Sequence, residues 1–131
     1  MQISEKSKQG FEAAATKLGL STDLPDLSIL RPDLAQYITA QYMLAVIIEA
    51  RKDGKVHDIT NHDEWKYWPY FYAKEGYVPG SSGGGFSFGD CDGGGGWTTV
   101  GARLSSNTRE IAKEIAEEFI DLYEIVMLIV Q

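Results

Sequence analysis

Aromatic residues and glycines are concentrated in one stretch of the chain. Ten of the 15 aromatic residues and 11 of the 14 glycines lie between residues 65 and 101. The alternation at 86–88 and the β-rich run at 97–104 predict two strands, with a glycine-rich reversal at 90–96 between them. Residues 68–72 predict a third strand, whose proline restricts it to a sheet edge because proline has no amide N–H to donate. This stretch therefore predicts a small antiparallel sheet.

Two helices are predicted before this stretch. Residues 4–18 have helical spacing of apolar side chains, and Gly19 supplies the left-handed backbone that commonly closes a helix. A second helix begins at Pro32, which suits a first helical turn, and ends near residues 51–54. Its apolar residues surround most of the helix axis, so we expect it to be buried centrally.

A third, long helix is predicted at the C-terminal end. Asn107 and Glu110 have the spacing of a capping pair, and apolar periodicity continues to about Leu128. Its apolar seam fits either the domain core or a homodimer contact, and core is the favoured interpretation: Ala112, Ile115, Phe119, Leu122, Val126 and Ile129. The whole chain, residues 1–131, therefore predicts a single α+β domain in which about three antiparallel strands pack with about three helices.

Charge and hydropathy limit the classes of partner. The formal net charge is −7 and the pI is about 4.7, which disfavours direct nucleic-acid binding through a broad basic face. The longest apolar run, residues 125–130, is far shorter than a membrane span, and the first residues lack the apolar core of a secretion signal. The sequence thus predicts a soluble, cytoplasmic protein without membrane partners.

Metal and acid–base chemistry have weak signals in this sequence. Asp90 and Asp92 resemble the opening of a calcium loop, but Gly101 occupies the position where a bidentate acid is needed. His57 and His62 fit no helical metal motif and lie in residues expected to form a solvated connector. An enzyme or metal-dependent module using these four side chains is therefore the weakest of three functional alternatives.

Nucleotide binding and nucleophilic catalysis also lack a motif. The glycine tracts at 83–85 and 93–96 do not complete a phosphate-binding pattern, and Cys91 is the single cysteine, so it has no internal disulfide partner. Ser105 and Ser106 are not in a nucleophile-elbow sequence. We predict no catalytic residue, no cofactor and no metal ligand, which indicates a protein that is not an enzyme.

The aromatic residues are the best candidates for function. Aromatic side chains are favoured at binding hot spots, although they also fill cores. Trp68 is assigned to the core, whereas the candidate interaction surface consists of Trp65, Tyr70, Tyr72 and Trp97. Contact with a protein partner is thus the first functional hypothesis. The second is an acidic inhibitor or nucleic-acid mimic, based on the net charge and on the acids of the final helix: Glu114, Glu117, Glu118, Asp121 and Glu124.

The order of several short motifs resembles a known family. The segments are LPDLS at 24–28, EWKYWPYF at 64–71, GFSF at 85–88, VGARL at 100–104, and the helical pattern from Ala112 to Tyr123. Together they are similar to uncharacterised proteins encoded by Bacteroidetes phages and prophages. The resemblance implies a phage or prophage setting, in the host cytoplasm or in the virion, and an accessory or structural role. It supplies no activity and no functional residues.

Overall fold

The computed structural model describes residues 2–81 and 84–128 as helices packed around one β-hairpin. The elements are α1 (Glu5–Lys17), α2 (Pro32–Arg51), β1 (Lys66–Ala73), β2 (Phe86–Gly94), a 3-10 helix (Ala102–Leu104), α3 (Arg109–Glu118) and α4 (Ile120–Met127). The predicted α+β class is confirmed. The predicted element counts are wrong, because the described residues form two strands and four α-helices.

Local sequence signals set both ends of α1, as predicted. Ser4 Oγ accepts a hydrogen bond from the Ser7 amide at 3.2 Å and caps the first turn. Gly19 follows the helix with a φ of 72°, and the next amide, of Leu20, donates to the Ala15 carbonyl at 2.8 Å. The glycine therefore lets the chain turn back to satisfy a carbonyl that the helix leaves open.

Helix α2 lies at the centre of the helical layer, where α1 and α4 both pack on it. From Met43 onward most of its residues are buried, while Ala45, Glu49 and Arg51 are half-buried along one side. The part before Met43 departs from the predicted central burial, because four large apolar side chains are exposed there: Leu34, Tyr37, Ile38 and Tyr42. The core therefore lies toward the C-terminal end of α2.

The predicted long C-terminal helix is broken at Phe119. This residue leaves helical geometry, with φ −117° and ψ 36°, so that α3 ends before it and α4 begins after it. The Phe119 ring is buried against Gly10 of α1, where a Cβ atom would overlap two ring carbons. The absence of a side chain at Gly10 makes room for the ring, and the break directs the ring into that space.

Helix α3 also begins differently from the prediction. Thr108, rather than Asn107, is the N-cap, and its hydroxyl oxygen accepts from the Ile111 amide at 3.1 Å. Asn107 is instead hydrogen-bonded to His57 at 2.7 Å. The predicted apolar seam of this region is buried within the chain at Ala112, Ile115, Phe119 and Leu122, while Ile129 lies outside the described residues.

A carboxylate at the start of α4 joins it to the start of α1. Asp121 accepts a hydrogen bond from the Ser4 amide at 2.9 Å and another from the buried Ser7 hydroxyl. Negative charge is favoured at a helix N-terminus, because the open amides and the helix dipole both attract it. This Asp121 clasp therefore fixes two elements that are distant in sequence.

The two strands pair antiparallel along their full length and contain one β-bulge. The register shifts after Tyr70, where Gly89 is the extra residue on β2. The predicted reversal at residues 90–96 is wrong, because residues 90–94 belong to β2 and the connection between the strands spans 74–85. Glycines within β2 accordingly act inside a strand rather than in a pliable loop.

The predicted strand at 97–104 does not form. The Thr98 hydroxyl oxygen accepts from the amides of Val100 and Gly101, both at 3.0 Å, and so holds the backbone in a turn. A 3-10 helix follows. Ser106 pairs with β1 in an isolated bridge, in which the Ser106 amide donates to the Tyr67 carbonyl at 2.7 Å. A side chain that bonds its own backbone thus replaces the expected sheet ladder.

Trp68 and Tyr72 of β1 provide a direct test of the packing. Trp68 is 2% exposed and Tyr72 is 61% exposed. We expect Trp68→Ala to lower the free energy of unfolding by about 3–5 kcal/mol, because it removes a large buried ring. Tyr72→Ala should stay within about 0.5 kcal/mol of the wild type. Urea unfolding measures both, and equal losses in the two variants would contradict the structure.

The contact between Gly10 and Phe119 predicts a coupled pair of substitutions. Gly10→Ala gains about 1 kcal/mol of helix propensity, but overlap with the ring should cost about 1–3 kcal/mol, so we expect a net loss of stability. Phe119→Leu in the same chain removes the overlapping carbons and should recover part of that loss. Unfolding free energies of both single variants and the double variant form a thermodynamic cycle, and strict additivity would disprove the contact.

Candidate functional site

The four residues of the predicted interaction surface are all exposed. The exposed fractions are 52% for Trp65, 41% for Tyr70, 61% for Tyr72 and 50% for Trp97. Tyr70 and Tyr72 alternate along β1 and therefore share one face, and the Trp97 ring lies against Trp68 on that same face. The structure thus brings three of the four predicted residues together.

Trp65 lies on the opposite side of the hairpin. Its indole nitrogen is close to Gly93, which pairs with Tyr67 on the face that packs toward α3. We call the surface that faces away from α3 the outer hairpin face. It consists of Trp68, Tyr70, Tyr72, Asp90, Asp92 and the overlying Trp97. The predicted surface is therefore divided, with Trp65 outside the outer hairpin face.

Aromatic rings on the outer hairpin face rest on glycine backbone. A Cβ atom at Gly89 would lie 2.7 Å from a ring carbon of Tyr70 and 2.8 Å from one of Tyr72. The rings of these two tyrosines also meet edge to face, with centroids 5.8 Å apart. The bulge glycine therefore allows two exposed rings to approach the strand backbone closely and to pack edge to face, which restricts their rotation.

Two carboxylates accompany the rings. The strand register places Asp92 opposite Trp68 and Asp90 opposite Tyr70, so the acids and the rings share a face. Asp92 accepts from the Gly93 amide at 2.9 Å, and Asp90 accepts from the amide of the residue that follows it at 2.7 Å. Each carboxylate retains further acceptor positions beyond that one bond. The outer hairpin face is therefore both aromatic and acidic.

Two buried lysines lie beneath the hairpin, and neither was predicted from the sequence. Lys66 is fully buried, and its ammonium donates to the carbonyls of Asn61 at 2.7 Å and Gly95 at 2.6 Å. Lys52 donates to the Ala102 carbonyl at 3.2 Å, and burial lowers the pKa of its ammonium to about 8. Their positions after a helix and at a strand start resemble ordinary surface lysines, so no local signal marks them.

His57 is buried, which corrects the expectation of a solvated connector. Its Nε2 lies 2.7 Å from Asn107 Oδ1, an acceptor, so Nε2 carries the proton. Its Nδ1 lies 2.6 Å from Ser105 Oγ, and the Ser105 hydroxyl is also within donating distance of the Ala102 carbonyl, at 3.2 Å. A serine beside a histidine resembles a nucleophile and its base, but Ser105 is 0% exposed and a substrate cannot reach its oxygen. The arrangement therefore holds two chain segments together.

The other candidate ligands are dispersed. His62 is exposed and lies beside Gly95 and Gly96. His57, in contrast, is buried and hydrogen-bonded to Ser105 and Asn107. Within residues 2–81 and 84–128, no three His, Cys, Asp or Glu side chains form a group that could hold a metal ion. Burial raises the pKa of the Cys91 thiol, so the reactive thiolate is disfavoured there.

Comparisons of this chain with protein-family models, with curated proteins and with solved structures return no match. In the described part of the chain, no helix combines the length and the apolar character needed to cross a membrane.

The buried His57 network predicts a pH dependence of stability. Burial lowers the pKa of His57 below its usual value near 6.5, and the positive charges of Lys52 and Lys66 act in the same direction. The unfolded chain therefore binds a proton at this site more readily than the folded protein. We expect the titration of His57 to lower the free energy of unfolding as the pH drops below about 6.5. Above about pH 7 the lowered pKa of Lys52 should make the free energy of unfolding rise slowly with pH, by the same linkage.

Unfolding titrations in urea between pH 7.5 and 5.5 measure this dependence. His57→Gln should reduce the slope, whereas His62→Gln leaves the buried imidazole in place and serves as the matched control. Identical slopes in the wild type and in His57→Gln would show that another group is responsible.

Proposed function

We propose that this protein is a non-enzymatic, protein-binding accessory or structural protein of a phage or prophage, and that it acts through the outer hairpin face. The observation that carries the proposal is a group of exposed aromatic rings held in fixed positions on a strand of glycine and aspartate. The phage setting comes from the sequence motifs alone. The site of action in this proposal is the host cytoplasm or the virion.

The physical support is the low cost of ordering this surface upon binding. Binding normally costs free energy because side chains at an interface become immobilised. The cost is roughly 0.5–1.5 kcal/mol for each flexible side chain. Tyr70 and Tyr72 are already packed edge to face over Gly89, and Trp97 meets Trp68 edge to face with centroids 5.2 Å apart. Exposed aromatic area that is already ordered is typical of binding hot spots.

The alternative of an acidic inhibitor or nucleic-acid mimic receives less support. A mimic needs carboxylates that are available to a basic groove. The five acids of α3 and α4 that motivated the idea are each engaged within the chain: Glu114 and Glu118 with Arg51, Glu117 with Lys113, Asp121 with Ser7, and Glu124 with Tyr77. Protein contact through the hairpin is therefore the better-supported proposal.

Site-specific photocrosslinking tests the proposal. A benzoylphenylalanine in place of Tyr72 should capture one host or phage protein in infected cells, whereas the same group in place of Tyr37 of α2 should not. Both positions carry an exposed tyrosine, with 61% and 39% exposure, so the pair is matched in chemistry. Mass spectrometry identifies the captured protein, and its presence in purified particles distinguishes a virion role from a cytoplasmic one.

The affinity of the purified partner provides the quantitative prediction. Tyr72→Ser should weaken binding by about tenfold or more, the effect typical of a hot-spot residue, while Tyr37→Ser should leave it within about twofold. Calorimetric titration measures both, and thermal unfolding checks that both variants are folded. Equal affinities of the two variants would reject the outer hairpin face as the binding surface.

A further inference from the structure

A groove runs along β1 beside the outer hairpin face. Its volume is about 490 Å³, and β1 lines one wall from Trp68 to Ala73, while Thr99, Val100 and the end of α4 line the other. Five residue steps along an extended strand correspond to roughly 17 Å. A groove of this length suits an extended peptide segment better than a compact metabolite.

The groove has one anionic end. Among its described lining residues, Asp92 is the single carboxylate, and no lysine, arginine or histidine joins it there. Asp92 takes part in none of the ion pairs formed between described residues, and one of its oxygens accepts only from the Gly93 amide. A cationic group at this end would therefore find an unneutralised carboxylate.

Aromatic rings stand beside that carboxylate. Trp68 lies directly across the strands from Asp92 but is 2% exposed, so the accessible ring at this end is that of Tyr70, which is 41% exposed and lines the groove. A planar guanidinium stacks on aromatic faces and bonds a carboxylate through paired N–H groups, and it gives up its hydration more easily than an ammonium. An anionic ligand would be repelled by the Asp92 carboxylate. A purely apolar ligand would cover that carboxylate without giving it a partner, which is costly.

The hairpin already binds one guanidinium by the same chemistry. Arg109 of α3 lies over the Tyr67 ring, 5.3 Å from its centroid, and donates to the Cys91 carbonyl at 2.7 Å. Its guanidinium is also 4.0 Å from the Asp90 carboxylate. A ring and a strand carbonyl thus hold an arginine on the inner face, with an aspartate of β2 4.0 Å away, and the groove offers a ring and an aspartate without an arginine.

We propose that the groove along β1 binds an extended segment of the partner protein, and that an arginine side chain of that segment binds between the exposed Tyr70 ring and the Asp92 carboxylate, beside the buried Trp68. This inference rests on the proposed function, since it specifies the chemistry of the partner that binds the outer hairpin face. The acidic net charge of −7 favours approach of such a basic segment.

The test uses a five-residue probe and its neutral counterpart. The probe is acetyl-Thr-Val-Arg-Val-Thr-amide, and the counterpart carries citrulline, which has nearly the shape of arginine without its charge. Titrated into the isotope-labelled full chain, the arginine peptide should shift the NMR signals of the Trp68 indole and the Asp92 amide in a saturable way. We expect its affinity to exceed that of the citrulline peptide by at least about fivefold.

Two charge-neutralising variants locate the effect. Asp92→Asn should reduce the arginine peptide to the affinity of the citrulline peptide, whereas Asp63→Asn removes an equal charge from an exposed connector and should leave the preference intact. Equal affinities of the two peptides, shifts confined to residues outside the groove, or no saturable shift would each overturn the inference. N-acetylarginine amide that binds as tightly as the pentapeptide would also overturn it, in favour of a small-molecule cation.

Failure of this inference is distinguishable from failure of the proposed function. If the partner still depends on Tyr72 but is indifferent to Asp92→Asn, the outer hairpin face binds a protein and the arginine assignment is wrong. If the partner is indifferent to Tyr72→Ser, the proposed function itself is wrong, whatever the peptides show.

Discussion

The structure depends on aromatic rings that pack against the glycines of strand β2. A two-stranded hairpin is marginally stable in water unless it is covered. Here the cover comes from rings that lie over glycines of β2: Tyr70 and Tyr72 over Gly89, and Trp97 over Gly94. Part of the abundance of both residue types in one third of the chain therefore has one cause, because these rings lie where a Cβ atom of the strand would be. Larger residues at these glycines would lift the rings from the strand.

Sequence patterns predicted the helical part of this fold better than the hairpin. Periodicity and end signals located α1 and α2 closely, since those signals are local. The break at Phe119 was missed because it depends on Gly10, which is distant in sequence. The glycines of β2 were interpreted as a loop because isolated glycines favour turns, and their role appears only when the facing rings are present. Strand alternation places Tyr70 and Tyr72 on one face, whereas the division of Trp65 from them required the register.

Two buried lysines and a buried neutral histidine connect residues 52–66 to the segment after β2. Lys66, Lys52 and His57 each bond to residues 95–107, and two of them do so through backbone carbonyls. Burial of a charge is costly unless hydrogen bonds compensate it, so these contacts favour one arrangement of two irregular segments over the alternatives. Sequence alone could not identify them, because their partners are carbonyl groups, which every residue carries. Because Asn107 is hydrogen-bonded to His57 in this network, Thr108 caps α3 in its place.

The Asp121 clasp has a consequence for the order in which the protein folds. It joins residues that are 117 positions apart in the sequence, at the starts of α1 and α4. The entropic cost of closing so long a loop must be offset by contacts that form earlier. The hairpin and the α1–α2 pair are local in comparison and are able to form first. The clasp then completes the molecule and makes α1 and α4 one cooperative unit, because opening either helix exposes the serine groups or the carboxylate that the other satisfies.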